Sequence, residues 1–482
     1  MNWEVVIGIE THIELRTDSK MFCGCPVDFG AEPNTNICPV CLGLPGALPV
    51  PNEKAIEWTM RFGLALDCDI TEHSLFHRKN YFYADMPKNY QISQFDLPLC
   101  ANGHLDVSTE AGDRRIGITR VHLEEDTGKS THLGAGGRIG SSGGALVDFN
   151  RAGIPLMEAV SEPDIRTPEE ARAYAQEVRG IALALDVSDA RLEEGSMRFD
   201  ANISLRAPGD EELGVKVEVK NMNSMRSLQR ALTFEIERQA KILDDGGTIA
   251  QETRHWDEEA GRTESGRSKE EASDYRYFSE PDLVPLVVTP AIVADLRSGL
   301  PELPAQARSR FETAGVDGAA ARVLVGGGLG RLFDDAVASG ASAVQAAKWL
   351  TGEVTAYLNR EGVDSGALLL DGGALAELIA MVEAGDLSST AAKTVLDAVL
   401  EGGGSPRKAA EALDLIQIRD EGALEIAVDA VLSAAEFGTI QRIKAGDMKP
   451  IGFLIGQVMS STGGKADPTI VRDLIVKKST EE

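Results

Sequence analysis

The chain divides into two parts by the spacing of its apolar residues. Up to about residue 290, short segments alternate apolar and polar residues and are separated by Gly, Pro and Asn, which predicts strands with a few helices between them. From about Thr289, Ala and Leu recur at helical spacing, after a boundary marked by several prolines. The pattern therefore predicts an α+β protein in which a β-rich domain precedes a helical region.

The helical region is itself interrupted by the glycine-rich sequence 402–406. This break predicts three domains, at residues 1–292, 293–404 and 405–482, of which the last is a small helical tail. Residues 438–478 in this tail contain seven basic and three acidic side chains. Such a surface is typical of a nucleic-acid contact, but an ordinary solvated helix face has the same pattern. The residues alone leave both interpretations open.

Several predicted strands carry a polar face rich in chemically active groups. In the segment 9–15, alternation places Glu10, His12 and Glu14 on one face and apolar residues on the other. Further segments repeat the pattern, with polar faces formed by Arg198, Asp200, Asn202, Ser204, Lys216, Glu218 and Lys220. A solvated face would explain the first strand equally well, but clustered carboxylates, histidine and cations are the groups that hold Mg²⁺ and phosphates. Phosphoryl chemistry on this sheet is therefore one hypothesis.

Composition and charge narrow the class of protein. The 482 residues are 43% hydrophobic and 26% charged, as in globular proteins, and their formal net charge is −28. This acidic balance argues against wholesale coating of nucleic acid, though not against a local basic site. The sequence has neither an apolar run long enough to span a bilayer nor a basic segment followed by a long apolar one at the N-terminus. We therefore expect a cytoplasmic protein without a membrane span or signal peptide.

Four of the six cysteines lie within nineteen residues. Cys23 and Cys25 form one close pair, and Cys38 and Cys41 form another after a gap of twelve residues, which is the arrangement of a tetrahedral four-sulfur zinc site. Four unliganded buried thiols are the alternative, but closely paired cysteines in a reducing compartment are more often metal ligands. Because four protein ligands leave no position for water, the predicted zinc is structural.

The Gly-Lys-Ser sequence at 128–130 resembles the end of a phosphate-binding P-loop. However, Leu123 stands where that loop requires glycine, and the three consecutive carboxylates at 124–126 would repel the phosphates that such a loop holds. We interpret these carboxylates as candidate Mg²⁺ ligands, with an acidic turn as the alternative.

Residues 78–91 gather three of the seven tyrosines among three basic side chains. This combination suits stacking on bases or contact with phosphates, and a surface loop with aromatic anchors is the alternative.

Seven segments, in order along essentially the whole chain, together resemble one family. They are residues 6–15, 78–94 (RKNYFYADMPKNYQISQ), 122–130 (HLEEDTGKS), 161–165, 193–206 (EEGSMRFDANISLR), 274–278 and 452–457 (GFLIGQ). On these segments the chain is similar to the B subunit family of the aspartyl/glutamyl-tRNA amidotransferases. The resemblance implies a β-rich cradle domain with a structural zinc site, followed by an all-α helical domain and a tail domain that contacts tRNA.

The resemblance also implies an activity. The chain would be the ATP- and Mg²⁺-dependent kinase subunit of a heterotrimer whose other members are a glutaminase, the A subunit, and a small C subunit. The complex would convert Glu on tRNA(Gln), and often Asp on tRNA(Asn), into the amide. Two other hypotheses are a stand-alone ATP-dependent carboxylate-amine ligase and a zinc-stabilised tRNA-binding scaffold.

The expected site residues follow from the same resemblance. The catalytic set is Glu10, His12, Glu125, Glu158 and Asp200. Of these, His12 and Glu125 are expected to bind Mg²⁺, while Glu10 and Glu158 complete or flank its ligand shell. The expected cofactor-binding residues are Lys79, Lys88, Arg198 and Asn202, and the two lysines are candidates for phosphate contact or for the path of ammonia.

Overall fold

The computed structural model describes residues 3–133, 144–266, 275–363, 365–418, 421–445, 447–463 and 465–481. The chain divides into two compact units, Met1–Pro304 and Ala305–Glu482. Asp274, the first residue of one segment that carries the family resemblance, lies outside the described residues.

All strands within the described residues belong to the first unit. They are β1 (Glu4–Glu14), β2 (Asp69–Ile70), β3 (His73–Ser74), β4 (His77–Asn80), β5 (Tyr90–Ser93), β6 (Cys100–Thr109), β7 (Gly112–Glu125), β8 (Lys129–Leu133), β9 (Gly144–Asp148), β10 (Pro155–Ser161), β11 (Met197–Arg206), β12 (Val217–Lys220), β13 (Thr253–Asp257), β14 (Arg262–Ser265), β15 (Phe278–Ser279) and β16 (Leu286–Val287). Nine of them form one sheet in the order β14-β13-β12-β11-β1-β10-β7-β6-β2. Only the pairing of β12 with β13 in this sheet is parallel among the described strands. A smaller sheet, β15-β4-β5, carries the tyrosine-rich segment.

The first three of the four helices described in the first unit pack against strands of the large sheet, and the fourth packs against the first. They are α1 (Glu53–Ala65), α2 (Pro168–Ala184), α3 (Met225–Asp244) and α4 (Pro290–Ser298). Thr167 and Ser224 cap the second and third of these helices by accepting hydrogen bonds from backbone N–H groups, as short hydroxyl side chains commonly do. Ile9, Ile13 and Phe199 point into the same apolar core as the helices. Strand alternation therefore leaves the opposite face of β1 and β11 to the polar residues.

The second unit is helical. Its helices are α5 (Pro304–Thr313), α6 (Gly318–Gly326), α7 (Gly330–Ala338), α8 (Ala343–Trp349), α9 (Thr355–Glu361), α10 (Gly372–Glu383), α11 (Ser389–Gly402), α12 (Pro406–Ala412), α13 (Glu421–Ala434), α14 (Phe437–Lys444), α15 (Ile451–Ser461) and α16 (Pro468–Glu481). Leu350–Val354 form a π-helical turn, and Ser365–Ala367 a 3₁₀ turn. Ala, Leu and Val side chains fill two separate apolar clusters, one between residues 311 and 410 and one between residues 424 and 475.

The structure confirms the α+β class, with a large sheet followed by a helical region. The division into three domains stays a prediction, although the two apolar clusters of the second unit lie on either side of the expected boundary near residue 405. Within the described residues, no helix combines the length and the hydropathy that crossing a bilayer would require.

Candidate functional site

Three adjacent strands place two histidines on either side of one carboxylate. His12 of β1 lies directly opposite Glu158 of β10, and Glu158 lies directly opposite His122 of β7. The Nε2 atom of His12 is 3.3 Å from Oε2 of Glu158, and the Nε2 atom of His122 is 3.6 Å from the same oxygen. Glu124 lies two residues further along β7, with Oε2 at 3.9 Å from Nε2 of His122. The register of the sheet thus assembles an imidazole and carboxylate cluster.

One ligand atom from each of His12, Glu124 and Glu158 lies within 4.8 Å of the others, so the three side chains could hold one cation. Both carboxylates are buried. Burial raises the pKa of Glu158, but the charge of His122 and the hydrogen bond from His12 outweigh burial and leave this pKa below its usual range. The carboxylate therefore keeps its negative charge at neutral pH, as binding of a cation requires.

Burial lowers the pKa of His12, but its hydrogen bond to Glu158 and the charge of that carboxylate outweigh burial, so the pKa of His12 lies above its ordinary value. Protonated His12 thus supplies positive charge next to Glu158. A divalent cation at this position would take over that role and leave the imidazole nitrogens neutral, as metal ligation needs.

A half-buried lysine lies beside the same cluster. Burial lowers the pKa of Lys79, but the charge of Glu124 outweighs it and holds this pKa above its ordinary value. Its Nζ atom is 5.1 Å from the centroid of the Tyr275 ring, and Glu124 accepts a 3.0 Å hydrogen bond from the Ser93 hydroxyl. The ammonium group adds a positive charge next to the carboxylates, where an incoming phosphate would be neutralised.

A second acidic group lies on the same face of the sheet. Glu10, Asp200 and Glu218 also bring one oxygen each within 4.8 Å of one another. The ammonium of Lys220 is bonded to Asp200 and lies 3.1 Å from Glu218, and Asn202 donates a 3.1 Å hydrogen bond to Glu10. The ammonium group of Lys220 therefore already serves as the cation of this second acidic group.

Arg198 faces Asp126 rather than open space. It donates a 3.0 Å hydrogen bond from Nη2 to Oδ2 of Asp126, and Nε of Arg151 lies 3.8 Å from the same oxygen. Burial and then the negative charge of Asp126 raise the pKa of Glu14 to about 9, so Glu14 carries a proton at neutral pH. The predicted cofactor-binding residue Arg198 is thus committed to a carboxylate in this geometry.

Glu125 does not join the cluster that the sequence predicted for it. Its carboxylate is buried on the opposite side of β7 from His122 and Glu124, because successive residues of a strand point to opposite faces. There it accepts hydrogen bonds from the Lys88 ammonium and from the backbone N–H of Ile92, the latter at 2.8 Å. The structure therefore pairs Glu125 with Lys88 and gives His12 and Glu158 the neighbouring Glu124 instead.

The remaining predicted residues divide between these groups. His12 and Glu158 come together as expected, whereas Glu10, Asp200 and Asn202 lie in the second acidic group. His122 was not among the predicted site residues. The sequence pattern could have predicted it, because His122 and Glu124 are two residues apart in an alternating segment and therefore share one face of a strand.

The four clustered cysteines converge on one point. One sulfur atom from each of Cys23, Cys25, Cys38 and Cys41 lies within 4.8 Å of the others, and the sulfurs of Cys38 and Cys41 are 3.9 Å apart. Sulfurs that bind one zinc at about 2.3 Å in a tetrahedron are about 3.8 Å apart. The thiol of Cys23 hydrogen-bonds to Cys41 and lowers the pKa of Cys41 to about 5, which favours the thiolate that a metal needs. The donor set fits zinc.

Several aromatic residues flank the strands of the small sheet, and their rings lie near the carboxylate cluster. Phe95 and Tyr277 stack with ring centroids 4.2 Å apart, and Tyr275 contacts both Tyr277 and Tyr81 edge to face. In the same segment, Phe82 is 81% exposed. Exposed and partly exposed rings beside a candidate cation site are suited to stacking on unpaired bases.

Comparisons with known proteins agree with this architecture. Residues 5–294 match the family described as GatB/GatE catalytic domain, and residues 331–478 match the family described as GatB domain. The chain is 50% identical over 483 residues to the B subunit of the aspartyl/glutamyl-tRNA(Asn/Gln) amidotransferase of Frankia casuarinae, an alignment that covers 99% of this chain and 95% of the relative. It is 46% identical to the B subunit of the same name from Geobacter sulfurreducens, with 99% of each chain covered.

The large sheet with its polar cluster and the helical region that follows define a GatB/GatE-type catalytic chain. The similarity extends over both regions and over nearly the full length of the relatives. The chain belongs to the B subunit family of the aspartyl/glutamyl-tRNA(Asn/Gln) amidotransferases, which confirms the resemblance read from its motifs.

Proposed function

We propose that this chain is the B subunit of a glutamine-dependent tRNA amidotransferase and that it activates the side-chain carboxylate of Glu on tRNA(Gln), Asp on tRNA(Asn), or both. The observation that carries the proposal is the cluster of His12, Glu124 and Glu158 beside Lys79, on a sheet of a family whose relatives bear this name. The cluster combines ligands for a hard cation with a positive charge for phosphate.

The reaction explains why such a site is needed. A carboxylate is a poor acyl donor at neutral pH, so its oxygen first attacks the γ-phosphorus of ATP and ADP leaves, giving an acyl phosphate. Ammonia then attacks the acyl carbon, inorganic phosphate leaves, and the amide remains. Phosphoryl transfer of this kind depends mainly on positioning and on neutralising charge. The protein's contribution is therefore to hold the reacting oxygens in place.

His12, Glu124 and Glu158 are the residues that would hold Mg²⁺, which when bound neutralises phosphate oxygens. This set departs from the one expected from the sequence, because Glu125 is bonded to Lys88 and Glu10 lies with Asp200. Glu10 and Asp200 flank the site in the next row of side chains across β1 and β11. Lys220 forms an ion pair with Asp200 and so offsets part of this negative charge.

Lys79 and Lys88 are the candidates for phosphate contact or for the path of ammonia. Lys79 faces the carboxylates of the cluster, whereas Lys88 forms a buried ion pair with Glu125 on the other side of β7. Arg198 and Asn202 act through Asp126 and Glu10, to which they donate hydrogen bonds, and so belong to the supporting polar network.

Other parts of the chain suggest the partners. The aromatic rings of the small sheet would stack on the unpaired 3′ nucleotides of the charged tRNA, next to the carboxylate cluster. The basic tail around α14–α16 suits contact with the tRNA backbone. Ammonia would come from the glutaminase, the A subunit, with a small C subunit completing a heterotrimer, and the four cysteines would hold a structural zinc.

The two alternative functions are less well supported. A stand-alone ligase would be expected to resemble independent enzymes, yet full-length relatives are named as subunits of a tRNA-dependent enzyme. A scaffold has no use for buried ionised carboxylates beside a lysine, which are costly unless they bind something.

The test is ATP-dependent amide formation on Glu-tRNA(Gln) and Asp-tRNA(Asn), measured for the chain alone and for the chain assembled with its glutaminase and small subunits. We expect activity only in the complex, with glutamine or free ammonia as the nitrogen source. ADP should form only when charged tRNA is present. Amidation of free glutamate by the chain alone would support the ligase instead, and ATP-independent tRNA binding without amidation by the complex would support the scaffold.

A further inference from the structure

The segment of residues 23–43, which we call the cysteine loop, lies directly against the Lys88–Glu125 ion pair. Both members of this pair are buried, with side chains 6% and 4% exposed. A Cβ atom built on Gly43 would lie 2.4 Å from Cγ of Lys88 and 3.2 Å from its Cβ and Cδ atoms. The stem of Lys88 therefore rests on the bare backbone of Gly43, with no room for a side chain between them.

The position of Gly43 depends on the second cysteine pair. Cys38 accepts a 3.1 Å hydrogen bond from the N–H of Leu42, and Gly43 donates one of 3.0 Å to the carbonyl of Val40. Gly43 follows Cys41 by two residues and has a φ angle of +65°, which favours glycine. The turn that presents two sulfurs to the metal position thus also presents Gly43 to Lys88.

The loop reaches the other member of the ion pair as well. Gly153, at the turn before β10, has a φ angle of +89°, and a Cβ atom there would lie 3.6 Å from Cβ of Cys41 and 3.9 Å from Oε2 of Glu125. The N–H of Gly153 is bonded to Asp126, the residue after Glu125, and its carbonyl accepts a hydrogen bond from Met21 at the start of the cysteine region. One glycine therefore separates Cys41 from Glu125.

We propose that the cysteine loop is a positioning element for the Lys88–Glu125 pair, acting through Gly43 against the Lys88 stem and through Cys41 beside Glu125. Metal binding by the four sulfurs closes the loop and fixes Gly43, so the metal and the ion pair are coupled. The geometry of Lys88 is independent of the proposed function, and only the activity readout rests on that function.

The test compares Gly43 of the cysteine loop with Gly46, which lies three residues further along the chain. Gly43→Ala and Gly46→Ala both place a side chain at a positive φ angle, but nothing lies within 4 Å of a Cβ atom at position 46. In the assembled complex we expect Gly43→Ala to lower kcat for transamidation roughly tenfold or more, because a displacement of about 1 Å in a reacting group is costly. Gly46→Ala should stay within about twofold of the wild-type kcat, since it shares only the backbone strain.

A double-mutant cycle separates positioning from general damage. Lys88→Ala removes the Cγ atom that the new methyl group at position 43 would strike and leaves the Cβ atom at 3.2 Å. Gly43→Ala should therefore lower kcat by no more than about twofold in the Lys88→Ala background, as Gly46→Ala does in the wild type. The proposal would be overturned if the effects of Gly43→Ala and Lys88→Ala on kcat multiplied in the double variant. It would also be overturned if Gly43→Ala and Gly46→Ala lowered kcat equally.

A chemical readout needs no activity. In the full chain, acetylation of Lys88 is measured by peptide mass spectrometry relative to the exposed Lys216. It should rise several-fold in Gly43→Ala and after metal removal with a chelator, but not in Gly46→Ala. Unchanged Lys88 labelling after complete zinc removal would contradict the coupling. If the wild-type complex shows no transamidation, the proposed function fails, while the labelling still decides this inference.

Discussion

The cysteine cluster and the carboxylate–histidine cluster are assembled over very different lengths of chain. The four cysteines come from one loop of nineteen residues before α1, whereas His12, Glu124 and Glu158 come from three strands that meet only in the finished sheet. The first cluster is set by local spacing and its turn hydrogen bonds, and the second by strand order and register. A slip of one residue in a strand would turn its side chains to the other face and destroy the second cluster alone.

The difference also appears in charge. The cysteine cluster is partly exposed, and its sulfurs mainly contact one another. The carboxylates of the carboxylate–histidine cluster are buried, and the charged groups around them hold them ionised. The pKa values of Glu124 and Glu158 both lie below the usual range, although burial alone would raise them. The first arrangement suits a closed structural metal site, and the second suits a site that must receive charged substrates.

The largest expected effect is at the central carboxylate of the second cluster. In the assembled complex, Glu158→Gln should lower ATP-dependent transamidation by roughly 10²–10³-fold, because it removes the charge shared by His12 and His122 at the cation position. The measurement is amide formation on charged tRNA together with ADP release. The control is Glu110→Gln in the exposed turn between β6 and β7, which should leave both rates unchanged. A fully active Glu158→Gln enzyme would place the phosphoryl site elsewhere.

A second test addresses the cysteine cluster. Cys38→Ser in the full chain should reduce bound zinc from about one per chain to nearly none, because a four-sulfur site depends on all its thiolates. Cys68→Ala, at a buried cysteine outside the cluster, should keep the zinc. We expect transamidation by Cys38→Ser to fall by roughly 10–100-fold, the range typical of groups that support a site without touching the substrate. Zinc retained by Cys38→Ser would show that these thiols are not the metal ligands.

Features set by local spacing could be predicted from the residue pattern, whereas contacts between distant segments could not. The four clustered cysteines could be predicted to come together because their spacing is local, and the polar faces of β1 and β11 could be predicted because alternation has a period of two. Alternation could not predict which residues face His12 across the sheet, since the order β11-β1-β10-β7 brings together segments far apart in the chain. Glu158 was expected there only from the family resemblance, and His122 was not expected. The change from strands to helices near residue 290 was visible in composition, whereas the parallel pairing of β12 with β13 was not.

Glu124 and Glu125 show a limit of prediction from residue type. The two carboxylates are adjacent in sequence and identical in chemistry, so residue type cannot decide which one faces His12. Strand alternation does, because Glu124 shares its face with His122 while Glu125 points toward β5 and Lys88. The most informative experiment on the site therefore compares these two neighbours.

The smallest expected effect is a difference in Mg²⁺ dependence between Glu124→Gln and Glu125→Gln. Glu124→Gln removes one of the three ligand atoms, so the Mg²⁺ concentration for half-maximal transamidation should rise about tenfold or more. Glu125→Gln keeps those ligands and disturbs Lys88, so it should lower kcat at saturating Mg²⁺ with the half-maximal concentration nearly unchanged. Both values come from Mg²⁺ titrations of the assembled complex at saturating ATP and tRNA.

The two neighbours serve as each other's control, because both substitutions replace a buried carboxylate by an amide of the same shape. A general loss of stability would change both variants alike, and melting temperatures equal to that of the wild-type complex would exclude it. If Glu125→Gln, rather than Glu124→Gln, shifted the Mg²⁺ titration, the ligand set expected from the family resemblance would be right and the grouping in the sheet would have to change on metal binding. A shift confined to Glu124→Gln would assign the metal to the face shared with His12 and leave the Lys88–Glu125 pair to the cysteine loop.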